Sequence, residues 1–443
     1  MIMKTIEYAK KDAFKLQLLQ ASRSGTHVYE NTVNKLNNTP FARTLNNSYT
    51  IKEVFIRYWA EFLKIYSHKK IRPAIIANVE RMIACKDFSY GYIFYECPNC
   101  DNYHISGLSC HSRFCASCGK IYREKRANEI AKKCLNVPHR QFVFSIASEL
   151  RSYFRKYRDL YNELFKAVDD VFVYLIQGKS KIAKHEDREL GYVMFLHTFG
   201  RDIKHNPHIH VLIAERVIDN DLKLKKYDYF NFESLRKSFM NQLLKRIYYY
   251  LKNHTSKREI LEFSKLRNKL YKDLKEGFYT HGPKLKNNSK VSIKNITKYI
   301  ARYAGHPALS ESRIENIDYD NNLITYYYDP HEDDDLPEED KQGRQYVTES
   351  VFDFIRKLII HIPDKGFHTV RYYGFYANKS KKKFPHYLKL YTKTEINTLH
   401  NRLFWRISLI LTYKYDPLLC ECGSVMKANF NLSYFPNYYL KGG

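Results

Sequence analysis

The sequence predicts an α+β fold, and three observations carry that expectation. Apolar residues recur at helical spacing from Ile51 to Ile83 (Val54, Phe55, Tyr58, Trp59, Phe62, Leu63), with Lys and Arg between them. A cysteine-rich module follows, and Lys120–Lys133 then reads as a basic helix carrying Lys120, Arg123, Lys125, Arg126, Lys132 and Lys133. From about residue 138 strands alternate with helices: Gln141–Ile146, Tyr192–Phe199 and His208–Ile213 as strands, Arg151–Ile176 and Phe232–Leu274 as helices.

The remaining elements follow in order. Ser292–Ala304 reads as a compact helix, with Ser292 as N-cap, Gly305 just past its end and Pro307 preventing continuation. Ile314–Tyr328 holds two strands around an Asn321-Asn322 turn. The run Glu332, Asp333, Asp334, Asp335, Glu338, Glu339, Asp340 reads as a solvated acidic loop, with a gate over a basic groove as the alternative. Beyond Val347 come a helix, the basic patch Lys379–Lys383 and the pair Cys420/Cys422. The expected partition is 1–92 helical and basic, 93–134 metal module with its helix, 135–330 catalytic, 331–345 acidic loop, and 346–443 an accessory DNA-binding region.

The 443 residues include 74 Lys+Arg against 47 Asp+Glu, a formal net charge of +27. Such an excess points to a polyanionic partner, nucleic acid before an anionic membrane surface. No long uncharged apolar run suits a membrane span, and the N-terminus lacks the apolar core of a signal peptide. The expectation is a soluble cytoplasmic protein, nucleoid-associated when on DNA. Tyrosine is abundant at 39 residues, but so are Lys, Asn and Ile; AT-rich codon usage explains this, so the count says nothing about catalysis.

Cys97-Pro98-Asn99-Cys100 and Cys115-Ala116-Ser117-Cys118 are two C-x-x-C knuckles separated by residues 101–114. Two such knuckles supply four thiolates for tetrahedral zinc, so Cys97, Cys100, Cys115 and Cys118 are the expected structural site. His104, Cys110 and His111 lie within the loop, and Cys110 is the one best suited to displace a knuckle cysteine. A closed tetrathiolate site leaves no position for substrate, so its role is folding and DNA docking, with the basic helix contacting phosphates. Cys420-Glu421-Cys422 has the wrong spacing for a knuckle and reads as unpaired thiols.

The segment His205-Asn206-Pro207-His208-Ile209-His210-Val211-Leu212-Ile213 carries the chemistry. On an extended strand His208 and His210 share one face, while Ile209, Val211 and Ile213 enter a core on the other. His197 reaches the same face if its strand pairs antiparallel with this one. Three imidazoles so placed can share a divalent cation, Mn²⁺, Mg²⁺ or Zn²⁺ by ligand type alone. Tyr299 and Tyr303 lie one helical turn apart on one face. By periodicity alone they read as core residues, in a buried stripe with Ile296, Ile300 and Ala304.

The order of these motifs resembles the HUH-type rolling-circle transposases of the insertion sequence 91 family. The resemblance rests on Arg113-Phe114-Cys115-Ala116-Ser117-Cys118, Leu196-His197-Thr198-Phe199-Gly200, His205 through Leu212 and Tyr299 through Tyr303. It extends through Pro307 to Ile314 and through Arg371-Tyr372-Tyr373-Gly374-Phe375, so that it runs from about Ile71 to Met426. The final Cys-x-Cys departs from the family's usual C-x-x-C. The resemblance implies an antiparallel sheet carrying the histidines with the tyrosine helix beside it. It implies His208 and His210 as ligands of a catalytic Mg²⁺ or Mn²⁺, with His197 in the place of the third histidine of related relaxases. Tyr303 would be the primary nucleophile and Tyr299 the second.

The implied reaction is metal-assisted nicking and strand transfer of single-stranded DNA, including hairpin ends, through a 5′-phosphotyrosine. Arg113, Arg123, Arg126, Lys298, Arg302 and Arg371 are the expected DNA contacts, with Arg371-Tyr372-Tyr373 suited to stacking on bases. No phosphate-binding loop of the G-x-x-x-x-G-K-[ST] type is present, so unwinding falls to host replication or helicase machinery. Three alternatives stand beside this reading. A non-catalytic zinc-ribbon nucleic-acid-binding protein would bind without cleaving. A water-using phosphodiesterase would cleave without retaining DNA. A replication initiator or relaxase would use the same chemistry elsewhere.

Overall fold

The computed structural model describes residues 49–177, 189–219, 223–282, 307–330, 343–377, 404–414 and 416–435, with Ile300, Tyr303, Gly305, Asn397 and Asn401. The elements are α1 (Ile51–Ile65), α2 (Pro73–Ile83), β1 (Tyr92–Glu96), β2 (Tyr103–Gly107), α3 (Ala116–Lys133) and β3 (His139–Ser145). Next come α4 (Arg151–Lys156), α5 (Leu160–Gln177), β4 (Glu189–Phe199), β5 (His205–Ile218), β6 (Leu224–Lys226), α6 (Phe232–His254) and α7 (Lys257–Asp273). The rest are β7 (Thr280–His281), β8 (Ile314–Asp318), β9 (Leu323–Tyr328), β10 (Gln345–Ser350), α8 (Val351–Ile359), β11 (Val370–Gly374), α9 (Trp405–Tyr413) and β12 (Lys427–Tyr434).

The central sheet runs β11-β4-β5-β3-β7, with β6 pairing β5, and every pairing is antiparallel. This is the α+β arrangement that the sequence leads one to expect. Period-two alternation divides its residues between two cores. Phe142, Phe144, Met194, Ile209, Val211 and Ile213 face α5, α6 and α7 and are fully buried there. Phe172 meets Phe144 edge-on at 5.6 Å and Phe239 meets it at 5.1 Å, geometries worth about 1 kcal/mol each beyond area burial. On the opposite face Val193, Phe195, Leu212 and Ala214 pack against Ala127, Ile130 and Ala131 of α3 and against Ile300.

A second body of core joins α1, α2, α8 and the β10-β9-β8 sheet. Thr50 caps α1 in a reciprocal box with Glu53, and Pro73 opens α2, which is why the apolar stripe over 51–83 forms two helices and not one. The stripe over 151–176 also breaks. Tyr157 leaves the helical region, donating its hydroxyl to Glu259 at 2.7 Å and packing against Tyr250.

The partition does not follow chain order. Residues 370–374, expected in an accessory region, form the edge strand β11 of the central sheet, and residues 427–434 pair as β12 with β1. The expected helix over 292–304 lies outside the described residues apart from Ile300 and Tyr303, as do most of the acidic run and the Lys379–Lys383 patch. Among the described residues, no helix is long and apolar enough to cross a membrane.

Candidate active site and metal centres

The β4–β5 hairpin sets the site. Its short connection is closed by Gly200 N–H donating to the Lys204 carbonyl at 2.9 Å and by Asp202 accepting from Lys204 N–H at 3.1 Å. Ile203 adopts φ 65° there with its side chain fully buried. This turn fixes a register in which His197 lies directly opposite His208, and Phe195 opposite His210. Ring nitrogens, one each from His197, His208 and His210, lie within 4.8 Å of one another.

The three histidines have the local support that a cation site needs. His208 Nδ1 donates to the Asn206 carbonyl at 2.8 Å, which turns Nε2 inward. His208 Nε2 and His210 Nε2 are 3.1 Å apart. Two nitrogens about 2.1 Å from one cation at a right angle would be separated by about 3.0 Å, so the spacing fits cis ligands of an octahedral ion. Burial holds His208 below the ordinary imidazole range, which favours the neutral form that ligates.

Tyr303 sits against this triad. Its ring centroid is 4.2 Å from that of His210 and 6.0 Å from that of His197. His197 Nε2 donates to the Tyr303 carbonyl at 2.8 Å. Gln141, on β3, donates its side-chain amide to Tyr303 Oη at 2.9 Å and reaches His210 Nδ1 at 3.5 Å. A cavity opens alongside, lined by Arg113, His197, Phe199, Tyr303, His361 and Thr369 among others. The stripe reading of Tyr303 is half right: it packs on the α3-facing core only in part.

The cysteines correct the expected zinc site. Cys97, Cys100, Cys115 and Cys118 do not converge. Cys115 and Cys118 join Cys85 and Cys110, and Cys97 and Cys100 join Cys420 and Cys422. The physical reason lies in where the two knuckles sit. Cys115 is the N-cap of α3 and Cys118 lies in its first turn, facing Cys85 just past α2 at 3.5 Å. Cys97 and Cys100 instead occupy the turn between β1 and β2. In the first cluster, hydrogen bonds from Cys110, Cys118 and Cys85 push the Cys115 thiol well below its ordinary range. A cation-binding thiolate belongs in such a place, beside a helix N-terminus. Each cluster supplies four sulfurs, the number that tetrahedral zinc takes.

Residues 191–383 match the family described as "Putative transposase" (Y2_Tnp), and residues 54–146 match the insertion sequence 91 "Transposase zinc-binding domain". The transposase for insertion sequence element IS801 of Pseudomonas savastanoi pv. phaseolicola is 26% identical over 343 residues, 76% of this chain and 77% of its own. The "Putative transposase y4qJ" of Sinorhizobium fredii is 21% identical over 345 residues, 75% of this chain and 81% of its own. The chain belongs to the insertion sequence 91 family of transposases. No solved structure matches it. As a transposase of this family it is a DNA-cleaving enzyme with a zinc-binding domain, and DNA is its substrate.

Within the family's two matched regions, the other expected contacts divide. Arg113 lines the cavity beside Tyr303, donating to Thr369 Oγ1 at 2.7 Å. Arg123 lies on the part of α3 that packs on Gly305, where an added Cβ would meet its Cα at 3.3 Å. Arg126 pairs with Glu129 at 2.9 Å. Arg371 is taken up on the far side of the sheet, over the Phe165 ring at 4.1 Å and bonded to Asn162. Tyr373 stacks on Tyr192 at 5.4 Å, and burial pushes both Tyr372 and Tyr373 up to about 12. The Arg371-Tyr372-Tyr373 stretch therefore packs in part against both faces of the sheet. Tyr299, Lys298 and Arg302 lie outside the described residues. Sequence reasoning missed Cys85 and the role of Gln141. Neither carries a motif of its own; Gln141 is one of several polar residues in β3, beside His139, Arg140 and Ser145.

Proposed function

We propose that this transposase nicks and rejoins single-stranded DNA by transesterification, with Tyr303 as nucleophile beside the His197, His208 and His210 triad. The observation that carries the reading is the single cluster in which the Tyr303 phenol, the Gln141 amide and the three imidazoles meet. Nothing in a packed stripe requires two imidazole nitrogens at 3.1 Å or a carboxamide aimed at a phenol.

The step is balanced without any outside reagent. Tyr303 Oη attacks phosphorus and gives up its proton, the bond from phosphorus to the 3′-oxygen breaks, and the departing 3′-oxygen takes up a proton to become a 3′-hydroxyl. The product is a 5′-phosphotyrosine and a free 3′-OH that can attack a second junction. A Mg²⁺ or Mn²⁺ held by the three histidines would supply charge to a non-bridging phosphate oxygen. Gln141 orients the phenol and His210 together, and His197 ties the backbone of Tyr303 to the triad. Arg113 and the basic face of α3, behind Gly305, are suited to hold flanking phosphates. Tyr299 would hold the second strand end. The first cysteine cluster, Cys85, Cys110, Cys115 and Cys118, would be the zinc site of the matched zinc-binding domain, anchoring α3.

The test is a nicking assay on labelled single-stranded DNA from the element's ends, with Mn²⁺ or Mg²⁺, on a denaturing gel. The expected result is a shifted, protease-sensitive band that requires metal and is lost in Tyr303→Phe. Cleaved DNA with no attached protein would overturn the reading in favour of a water-using phosphodiesterase. Binding without cleavage would leave a nucleic-acid-binding module.

A further inference from the structure

We infer that Cys97, Cys100, Cys420 and Cys422 hold a second structural zinc, one that completes a zinc ribbon from two segments far apart in the sequence. The four sulfurs lie within 4.8 Å of one another, with Cys97 Sγ 3.4 Å from Cys422 Sγ and Cys100 Sγ 3.5 Å from Cys420 Sγ. Zinc–sulfur bonds of about 2.3 Å at tetrahedral angles place sulfurs about 3.8 Å apart, and a disulfide would require about 2.05 Å. The observed spacings suit the first and not the second.

The backbone around the sulfurs is built for the same purpose. Cys97 closes its turn by donating N–H to the Asn102 carbonyl at 2.9 Å, and Asn99 N–H points at Cys97 Sγ at 3.5 Å. On the other half, Cys420 N–H donates to the Ser424 carbonyl at 2.8 Å and Gly423 N–H to the Cys420 carbonyl at 2.9 Å. Gly423 sits at φ 86°, the left-handed region that lets Cys-x-Cys turn as tightly as a longer knuckle. Asn99 Nδ2 donates to Ser424 Oγ at 2.7 Å, which stitches the two turns together. Behind them β12 pairs with β1 in the β12-β1-β2 sheet, Glu96 opposite Lys427 and Tyr92 opposite Tyr434. Its core is small: among the described residues, the buried cluster is Tyr92, Phe94 and Ile105, with Phe88, Tyr103, Leu432 and Tyr434 packed against it in part. A sheet with so small a core needs a staple, and a structural metal is one that small modules use.

Two of the four sulfurs come from beyond the matched zinc-binding domain, whose range ends at residue 146. The second zinc is therefore a clasp between the β1–β2 turn and the turn before β12, distinct from the Cys85, Cys110, Cys115 and Cys118 cluster. It is independent of the nicking reading.

The measurement is metal content of the full-length chain, purified under reducing conditions, by mass spectrometry and by Co²⁺ substitution. Sulfur-to-cobalt charge-transfer absorption counts thiolate sites only, so an ion on the histidines does not contribute. The expected result is two thiolate-bound metals per chain in the unmodified protein and one in Cys420→Ser/Cys422→Ser. Limited proteolysis of that variant should release the C-terminal segment early while metal-dependent nicking persists. One thiolate-bound metal in the unmodified chain overturns the inference. So does a double-serine variant that keeps both. Should the variant not fold, the cobalt count on the unmodified chain decides alone.

Discussion

Replacing Gln141 with leucine isolates the contact on which the proposed nucleophile rests. Leucine keeps the bulk of the half-buried side chain between β3 and the tyrosine and removes one donor, the 2.9 Å bond to Tyr303 Oη. The 3.5 Å approach to His210 Nδ1 lies at the limit of a hydrogen bond and contributes little. A neutral bond of this kind is worth about 1 kcal/mol, and one to a charged oxygen about 1.5–3 kcal/mol. Only the difference, about 0.5–2 kcal/mol, lowers the barrier, because the resting phenol already enjoys the neutral bond. The expected loss is thus about 2- to 30-fold in the single-turnover rate of adduct formation. Rejoining, in which the phenolic oxygen is the leaving group, should slow by a similar factor. DNA affinity and urea stability should change little, the latter by about 1 kcal/mol at most. A Gln141→Leu chain that nicks as fast as the unmodified protein refutes the assignment. One that is as inert as Tyr303→Phe with its fold intact refutes the magnitude, and with it the idea that Gln141 only orients.

Two further outcomes are expected. Ile209→Ala, on the fully buried back of the histidine strand, should cost about 2–5 kcal/mol in urea unfolding, and a loss below about 1 kcal/mol would deny that this face is packed. Acidification should destabilise the fold through His139 and His361, which burial pushes down to about 4 each. Their folded values lie below the unfolded value of about 6.5, so the unfolded chain binds more protons between the two. Their contribution is present above about pH 6.5 and is lost as pH falls towards 4, which denaturation series across that window would detect. A flat profile there would contradict it.

The sequence made the histidines legible because a strand has a period of two. With Ile209, Val211 and Ile213 committed to a core, His208 and His210 had one face left to occupy. His197 was legible for a related reason, since a short connection between two strands makes an antiparallel hairpin. The cysteines were not legible in the same way. Local spacing identifies a knuckle but not its mate, which is chosen by long-range packing: α2 brings Cys85 to the first turn of α3, and β12 brings Cys420 and Cys422 to the β1–β2 turn. The packing of Arg371 was hidden for a similar reason. Its charge and aromatic neighbours suggest a surface, yet pairing with Met194 on β4 turns it to the face that packs on α5.

The double-sided pairing of β5, with β4 along one edge and β3 along the other, gives this strand the character of a reading frame. Its residues are read alternately towards the apolar layer and towards the triad, and both neighbours lock the phase. A single-residue insertion just before His208 would carry both imidazoles into the apolar layer and Ile209 to the site. An insertion of two residues would return them to the correct side. Tolerance to length changes in this segment should therefore follow parity and not size. Lineages descended from such an element could lengthen the β4–β5 connection freely, but could shift the strand itself only in steps of two.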